Sequence, residues 1–188
     1  MAKSDVKLLG AWTSPYVMRA QIALNIKSSK REKIYTFKYG LLGEGLTTKY
    51  GDQEWFPSIR GIVVAQGEEA KKVLIDQVTE GLVLLEEVFE ECSKGKAFFG
   101  GDGIGFLDIA FGCFLGWLRV IEKMNELKLL DEAKTPGLSK WAERFCADGA
   151  VMGVMPETVK LIEFAKVVQD KMIGLPLIRF LFSTKINQ

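Results

Sequence analysis

The 188-residue chain contains no histidine, which excludes every mechanism that needs an imidazole base and every metal site built on histidine. Its three cysteines, Cys92, Cys113 and Cys146, have no Cys-x-x-Cys spacing, so neither a zinc site nor a dithiol redox site is expected. We interpret all three as unreactive packing residues. Because no apolar signal segment follows Met1, we expect the reducing cytosol as the compartment, and we predict no metal.

Long apolar runs and an excess of charge of either sign are also missing. No run approaches the roughly 18 apolar residues that a membrane-spanning helix needs. With 25 Lys and Arg against 24 Asp and Glu, the net charge of +1 argues against electrostatic binding to nucleic acid or to an acidic membrane. The 48% of hydrophobic residues is typical of an ordinary folded domain, alone or with a fragment of another.

The N-terminal part of the chain contains the beginning of an α/β unit. A short apolar run at Val6–Trp12 predicts a buried strand, and the apolar spacing of Tyr16–Lys27 predicts a helix. Ser14 and Pro15 between them are a typical helix start, with serine at the N-cap and proline at the first helical position. Ile34–Tyr39 alternates and is one further strand candidate. A complete α/β unit needs more strands than these, so this part is predicted to be incomplete.

From Trp55 onward the pattern is helical, and the predicted fold class is mainly α. A helix over 68–91 is indicated by an amphipathic stripe of apolar residues, namely Leu74, Val78, Leu82, Leu85 and Phe89. Phe106–Ile121 is apolar nearly all round, which predicts one buried central helix. Two more helices are expected around Trp141 and at Glu157–Val168. The apolar tail Met172–Phe182 is expected to pack on them or to stay mobile.

Several features of the sequence have a structural and a functional interpretation. Ser14 at a helix N-terminus caps that helix or, since the helix dipole favours an anion, stabilises a bound thiolate. The glycine-rich stretch Phe99–Asp108 lacks the G-x-G-x-x-G spacing, so we interpret Asp108 as a capping acid for the helix after Gly105. Four glutamates predict a solvated helix face: Glu86, Glu87, Glu90 and Glu91. The four tryptophans are interpreted as core residues: Trp12, Trp55, Trp117 and Trp141.

Two long segments resemble the tau class of plant glutathione S-transferases. The first is Ser4–Lys27, which includes SPYVMR, and the second is Gln53–Lys166, which includes WFPSIR, FFGGDGIGFLDIAFGCFLGWLRV and VMPETVKLIEFAK. The family fold is a thioredoxin-like domain followed by an all-helical domain, usually in a homodimer. The resemblance therefore implies a truncated thioredoxin-like α/β fragment at 1–52, which would bind glutathione. It also implies an all-helical C-terminal domain at 53–168 and an atypical tail at 169–188.

The resemblance also implies an activity and the residues that carry it. The family conjugates glutathione, as co-substrate, to small hydrophobic electrophiles. Ser14 is implied to be catalytic, with its hydroxyl donating a hydrogen bond to the glutathione sulfur and favouring the thiolate. Five further residues are implied to bind substrate: Tyr16, Arg19, Phe56, Arg60 and Trp117. An aromatic-lined pocket suits an apolar electrophile.

The chain departs from the family between Lys38 and Gln53 and again after Lys166. The family carries a longer stretch in the first place, with a cis-proline strand and a Glu-Ser pair that hold glutathione, whereas 38–53 contains neither proline nor Glu-Ser. Three hypotheses follow. The chain is a transferase with activity impaired by the truncation, and forms a homodimer or a heterodimer with related subunits. Alternatively it is a non-catalytic helical remnant that binds apolar ligands or a full-length subunit, or a product too incomplete to fold.

Overall fold

The computed structural model describes residues 10–29 and 55–173, and within these ranges the chain forms seven helices. The helices are α1 (Pro15–Ser29), α2 (Trp55–Val64), α3 (Glu68–Ser93), α4 (Phe106–Gly112), α5 (Leu115–Asn125), α6 (Pro136–Ala147) and α7 (Thr158–Ile173). The described residues contain no strand beyond one isolated bridge between Phe98 and Gly101, so the mainly α fold class is confirmed. None of the described helices has both the length and the apolar character needed to span a membrane.

The predicted start of α1 is confirmed. Ser14 directly precedes the helix, and its carbonyl accepts the first intrahelical N–H groups, from Val17 and Met18, each at 3.1 Å. Pro15 occupies the first helical position, where its missing N–H costs nothing. The predicted strands at 6–12 and 34–39 lie outside the described residues except for 10–12. Those three do not form a strand, because the chain turns there and the Ser14 N–H donates to the Ala11 carbonyl at 3.0 Å.

The core lies between the helices that follow residue 55, and α1 packs onto it. The predicted stripe of α3 is confirmed, since Val78, Leu82, Leu85 and Phe89 are buried and Leu74 is half-buried. α1 adds Met18 and Ile22, whose side chains are 1% and 0% exposed. Each fully buried apolar side chain of this size contributes about 1.5–3 kcal/mol relative to an exposed one. The apolar tail lies outside the described residues beyond position 173.

The single helix predicted over Phe106–Ile121 is wrong, because the chain turns at Cys113 and Phe114 and forms α4 and α5 instead. The Phe114 N–H donates to the Phe111 carbonyl, three residues back, which tightens the helix at this point. Gly112 ends α4 against the Phe145 ring, which a Cβ atom at position 112 would overlap. Apolar periodicity did not reveal the break, since Phe106–Ile121 is apolar nearly all round and its only charged residues are Asp108 and Arg119.

Asp108 is the capping acid that the sequence predicted, and it binds more donors than a cap requires. Its carboxylate is 0% exposed and accepts the Gly105 N–H at 2.8 Å, which is the capping bond of α4. It also accepts the backbone N–H groups of Phe99 at 2.9 Å and Gly100 at 3.0 Å, and the Trp141 indole N–H at 2.8 Å. The glycine-rich stretch is thereby held by one buried carboxylate rather than by a phosphate.

Glu86 contradicts the predicted solvated face of α3. It is 7% exposed, and its two carboxylate oxygens accept the backbone N–H groups of Gly137 at 2.6 Å and Leu138 at 2.8 Å. These are among the N–H groups that α6 leaves unbonded at its first turn, where a negative charge is stabilising. The other three glutamates of the run are exposed, as expected.

The cysteines differ in environment, and the packing interpretation is wrong for one of them. Cys113 is fully buried and Cys146 half-buried, whereas Cys92 is exposed near the end of α3. The pKa of the Cys92 thiol is raised above its ordinary value of 9.0, mainly by partial burial and to a smaller extent by the nearby Glu91 carboxylate. Burial likewise raises the pKa of Cys146, although Arg119 opposes this. Both thiols therefore stay protonated near neutral pH.

Candidate functional site

Ser14 lies at the positive end of α1, in the turn that joins residues 10–13 to the helix. Ser14 is half-buried, and α1 has no acidic side chain in its first turn. The partial positive charge of the helix N-terminus is therefore not neutralised by a carboxylate of α1 itself. Such a position stabilises an anionic sulfur placed next to the hydroxyl.

Three rings form an aromatic cluster beside this turn, which we define as Trp12, Trp117 and Phe164. The Phe164 ring makes an edge contact with Trp12 at a centroid distance of 5.9 Å and another with Trp117 at 6.3 Å. Trp12 is 52% exposed and Phe164 37% exposed, so the cluster presents aromatic surface to solvent. Rings that stand edge to face and remain exposed can bind a flat apolar molecule.

The aromatic cluster and the Ser14 turn are joined by a hydrogen bond. The Trp117 indole N–H donates to the carbonyl of Thr13 at 2.9 Å, and Thr13 is itself 8% exposed. Thr13 directly precedes Ser14, so a side chain of α5 fixes the backbone that carries the serine. The structure thus brings Trp117 and Ser14 together, as two members of one site require.

Arg19 is placed against the helical core. Its Nη2 donates to the Ala110 carbonyl at 2.8 Å, and its Nε donates to the Cys113 sulfur at 3.2 Å. The guanidinium also lies 5.1 Å from the ring centroids of both Tyr16 and Phe114. These contacts hold α1 against the junction of α4 and α5. A role of Arg19 or of the exposed Tyr16 toward substrate stays a prediction.

Phe56 and Arg60 lie on α2, which packs against α5 and α7, the helices that carry Trp117 and Phe164. Arg60 is exposed, and the side chain of Phe56 is outside what the structure describes. Their assignment to the substrate pocket stays a prediction. Within 10–29 and 55–173, no three Asp, Glu or Cys side chains are grouped so that they could hold a metal ion.

Sequence reasoning missed two members of the aromatic cluster. Trp12 was expected in the core but is the most exposed of the described tryptophans, while Trp141 is 1% exposed and Trp117 half-buried. The side chain of Trp55 is not among those described. Phe164 carried no assignment, because one aromatic residue in an amphipathic helix is normally a core residue. The position of Trp12 two residues before Ser14 was the one available signal.

Comparison with known proteins identifies relatives for most of the chain. Residues 16–148 match the family profile described as "Glutathione S-transferase, C-terminal domain". Glutathione S-transferase U17 of Arabidopsis thaliana is 44% identical over 224 aligned positions, which cover 91% of this chain and 99% of that protein. Glutathione S-transferase U18 of the same plant is 43% identical and covers 88% and 96%.

Solved structures give the same result for the fold. The tau class glutathione S-transferase of mango, Mangifera indica, superposes with a TM-score of 0.75 and 46% identity, over 89% of this chain and 100% of that one. A rice glutathione S-transferase solved in complex with glutathione superposes with a TM-score of 0.68 at 18% identity, covering 88% and 97%, and this likeness concerns the fold alone.

The alignment with U17 also shows that this chain is shorter inside the aligned span. Since 91% of 188 residues is about 171, about 53 of the 224 aligned positions have no residue of this chain. The profile match from 16 to 148 crosses the domain boundary predicted at 52/53. That boundary therefore stays a prediction.

Proposed function

The chain belongs to the glutathione S-transferase family, and on that premise we propose that it conjugates glutathione to hydrophobic electrophiles with Ser14 as the catalytic residue. The observation that carries the proposal is the Trp117–Thr13 hydrogen bond, which ties an exposed aromatic cluster to the backbone beside Ser14. A nucleophile-activating hydroxyl and an apolar surface for the second substrate are thereby adjacent.

In the proposed reaction the Ser14 hydroxyl donates a hydrogen bond to the glutathione sulfur. This bond and the positive end of α1 stabilise the thiolate over the thiol, so the pKa of the thiol is lowered and its proton passes to solvent. The sulfur then uses a lone pair to form a bond to the electrophilic carbon, and the leaving group departs with the electron pair of the broken bond. No metal takes part in this proposal.

The electrophile is proposed to lie against Trp12, Trp117 and Phe164. Phe56 and Arg60 on α2 and Tyr16 on α1 are proposed to bind substrate as well, as the family resemblance implies. Arg19 is proposed to act as a positioning residue, since its contacts with Ala110 and Cys113 hold α1, and hence Ser14, in place. We further propose a dimer in the cytosol, the arrangement and compartment that the family resemblance implies.

A second candidate function is favoured by the deletion of about 53 aligned positions relative to U17. We propose that the deletion falls between Lys38 and Gln53, where the family holds the glutathione backbone and its γ-glutamyl group. In that case the helical part binds apolar ligands, or a full-length subunit, without conjugating them. Lost contacts to glutathione remove binding energy that would otherwise position its sulfur.

Conjugation of glutathione to chlorodinitrobenzene tests the first function, with Ser14→Ala as the variant. We expect kcat/KM to fall by about 100-fold, because one hydrogen bond to the reacting anion is lost. The conjugation rate increases with pH as the thiol ionises, and this increase should occur at a higher pH in the variant than in the wild type, since the pKa of the thiol is no longer lowered. Ser139→Ala is the matched control, because the Ser139 hydroxyl is buried in α6 without a hydrogen-bond partner among the described residues.

Calorimetric titration with glutathione separates the two functions. A Kd near or below about 1 mM, which corresponds to about −4 kcal/mol, supports the enzyme. Equal activity of Ser14→Ala and wild type would remove Ser14 from the mechanism. Absence of glutathione binding together with saturable binding of an apolar dye would replace the enzyme by the second function.

A further inference from the structure

The break between α4 and α5 changes the hydrogen bonding of one buried carbonyl. In a continuous helix the Phe114 N–H would donate to the Ala110 carbonyl, four residues back. Here it donates to the Phe111 carbonyl at 3.0 Å instead. Ala110 is 3% exposed, and a buried carbonyl needs a hydrogen-bond donor. The break therefore makes this carbonyl available to side chains.

Two side chains donate to the Ala110 carbonyl, and they also bond to each other. The Nη2 atom of Arg19 on α1 donates at 2.8 Å, and the Cys113 thiol donates at 3.3 Å. The Cys113 sulfur in turn accepts a hydrogen bond from Arg19 Nε at 3.2 Å. Since one edge of the guanidinium thus bonds to two acceptors, its plane is fixed more firmly than by a single bond.

The surroundings of these bonds are apolar. Cys113 and Phe114 are both 0% exposed, and the guanidinium lies 5.1 Å from the centroids of the Tyr16 and Phe114 rings. A hydrogen bond is electrostatically stronger inside a protein than in water, and the loss of its acceptor is correspondingly costly. Cys113 therefore has a polar role in addition to its place in the core, because without its sulfur Arg19 Nε would lose this acceptor.

The position of Arg19 connects this arrangement to Ser14. Arg19 comes five residues after Ser14 on the same helix, whose first intrahelical bonds the Ser14 carbonyl accepts. The backbone before Ser14 is held by the Trp117 indole, which donates to the Thr13 carbonyl. The chain is therefore tied to the helical core on both sides of the serine.

We propose that Cys113 is a positioning residue, which through Arg19 holds the first turns of α1, and hence the Ser14 hydroxyl, in place. The kinetic consequence of this inference rests on the proposed function, whereas the holding of α1 is measurable without it.

Hydrogen exchange of the full chain, followed by mass spectrometry, tests the holding of α1. In Cys113→Ala we expect the amides of α1 to exchange about fivefold faster than in the wild type, the factor that corresponds to one net hydrogen bond. Cys113→Ser should keep the wild-type rate, because a hydroxyl can both accept from Arg19 and donate to Ala110. The amides of α3 serve as the internal reference, since a general loss of stability would speed their exchange as well.

Cys146→Ala is the matched control. The Cys146 sulfur accepts a hydrogen bond from Arg119 Nη2 at 3.5 Å, so this variant also removes a thiol that is bonded to a guanidinium. That bond joins α6 to α5 and does not involve α1. The exchange of the α1 amides should therefore be unchanged in Cys146→Ala.

Arg19→Lys is an independent variant that keeps the Cys113 thiol. Lysine retains the charge but lacks the planar fork that bonds to the sulfur and the carbonyl together. The α1 amides should again exchange about fivefold faster or more. Adding Cys113→Ala to Arg19→Lys should have little further effect, because both substitutions break the same contact. Additive effects of the two substitutions would overturn the proposal.

The kinetics of conjugation to chlorodinitrobenzene connect the holding of α1 to Ser14. In Cys113→Ala we expect kcat to fall by about fivefold while KM for chlorodinitrobenzene stays unchanged, because the aromatic cluster is intact. The increase of the rate with pH should move to a higher pH, in the same direction as in Ser14→Ala. Cys113→Ser and Cys146→Ala should both retain the wild-type kinetics.

The proposal is overturned by equal exchange of α1 in the wild type and Cys113→Ala, by equal acceleration in α1 and α3, or by a failure of Cys113→Ser to keep the wild-type rate. It is also overturned if α1 exchanges faster while kcat and its pH dependence stay unchanged. A wild type that does not conjugate glutathione would contradict the proposed function instead, and the exchange of α1 alone would then decide this inference.

Discussion

The Ser14 turn and the loop before α4 are both held by an indole N–H, but the two surroundings differ. Trp117 donates to the Thr13 carbonyl at 2.9 Å, and Trp141 donates to the Asp108 carboxylate at 2.8 Å. Trp141 is 1% exposed and its acceptor 0% exposed, whereas Trp117 is half-buried beside two exposed rings. The Trp141 indole belongs to a buried hydrogen-bond network around a carboxylate, whereas the Trp117 indole makes a single hydrogen bond to a neutral carbonyl beside the exposed rings.

The difference shows how the molecule separates stability from binding. At Asp108 one fully buried carboxylate accepts hydrogen bonds from three backbone N–H groups and an indole, so the loss of this carboxylate leaves several donors without partners. At the Ser14 turn few groups are buried, and the rings of Trp12 and Phe164 remain available to a ligand. We therefore expect substitutions at the first region to affect unfolding and those at the second to affect activity.

Replacing Asp108 by alanine should give the largest loss of stability. Three backbone N–H groups and the Trp141 indole lose their acceptor at once, which we expect to lower the free energy of unfolding by about 3–5 kcal/mol. Urea unfolding followed by circular dichroism measures this difference. Asp102→Ala is the control on the same loop, because its exposed pair with Lys96 is worth at most about 1 kcal/mol. A similar loss in both variants would contradict the network.

Replacing Glu86 by alanine should also lower the stability of the protein. The change leaves the Gly137 and Leu138 N–H groups at the start of α6 without their acceptor, and we expect the free energy of unfolding to fall by about 2 kcal/mol. The same urea titration gives the value. Glu87→Ala is the matched control on the exposed face of α3 and should change stability by no more than about 0.5 kcal/mol. Equal losses of stability in Glu86→Ala and Glu87→Ala would mean that Glu86 lies on a solvated face of α3, as the sequence predicted.

The two regions also differ in how far they could be predicted. The helix start at Ser14 and Pro15 and the cap at Asp108 were predictable, because each depends on neighbours within a few residues. The hydrogen bonds that Asp108 accepts from Trp141 and Glu86 accepts from α6 could not be predicted. Their donors are 33 residues and at least 51 residues away in the chain. Local patterns carry no information about such pairs.

The aromatic cluster was predicted only in part for the same reason. Trp117 was implied by the family resemblance, whereas Trp12 and Phe164 are brought together by tertiary packing over a long span of chain. The break between α4 and α5 was missed because Phe106–Ile121 is apolar nearly all round, so its pattern of apolar residues is the same with or without a turn. Glu86 and Glu87 look alike in the sequence, and only the approach of α6 makes one of them buried.

Trp117→Phe and Trp141→Phe compare the two indoles directly, since each change keeps an aromatic ring and removes one N–H donor. Trp117→Phe should lower the free energy of unfolding by about 1 kcal/mol, because its acceptor is a neutral carbonyl. Trp141→Phe should cost about 2–3 kcal/mol, because it leaves a buried carboxylate short of a donor.

In the conjugation assay the order of the two variants should reverse, with Trp117→Phe having the larger effect. Trp117→Phe loosens the backbone beside Ser14 and should lower kcat more than it raises KM for glutathione, while Trp141→Phe should retain wild-type kinetics below its unfolding transition. Equal stability losses, or equal kinetics, would mean that the two indole bonds do the same work and that the division between the two regions does not hold.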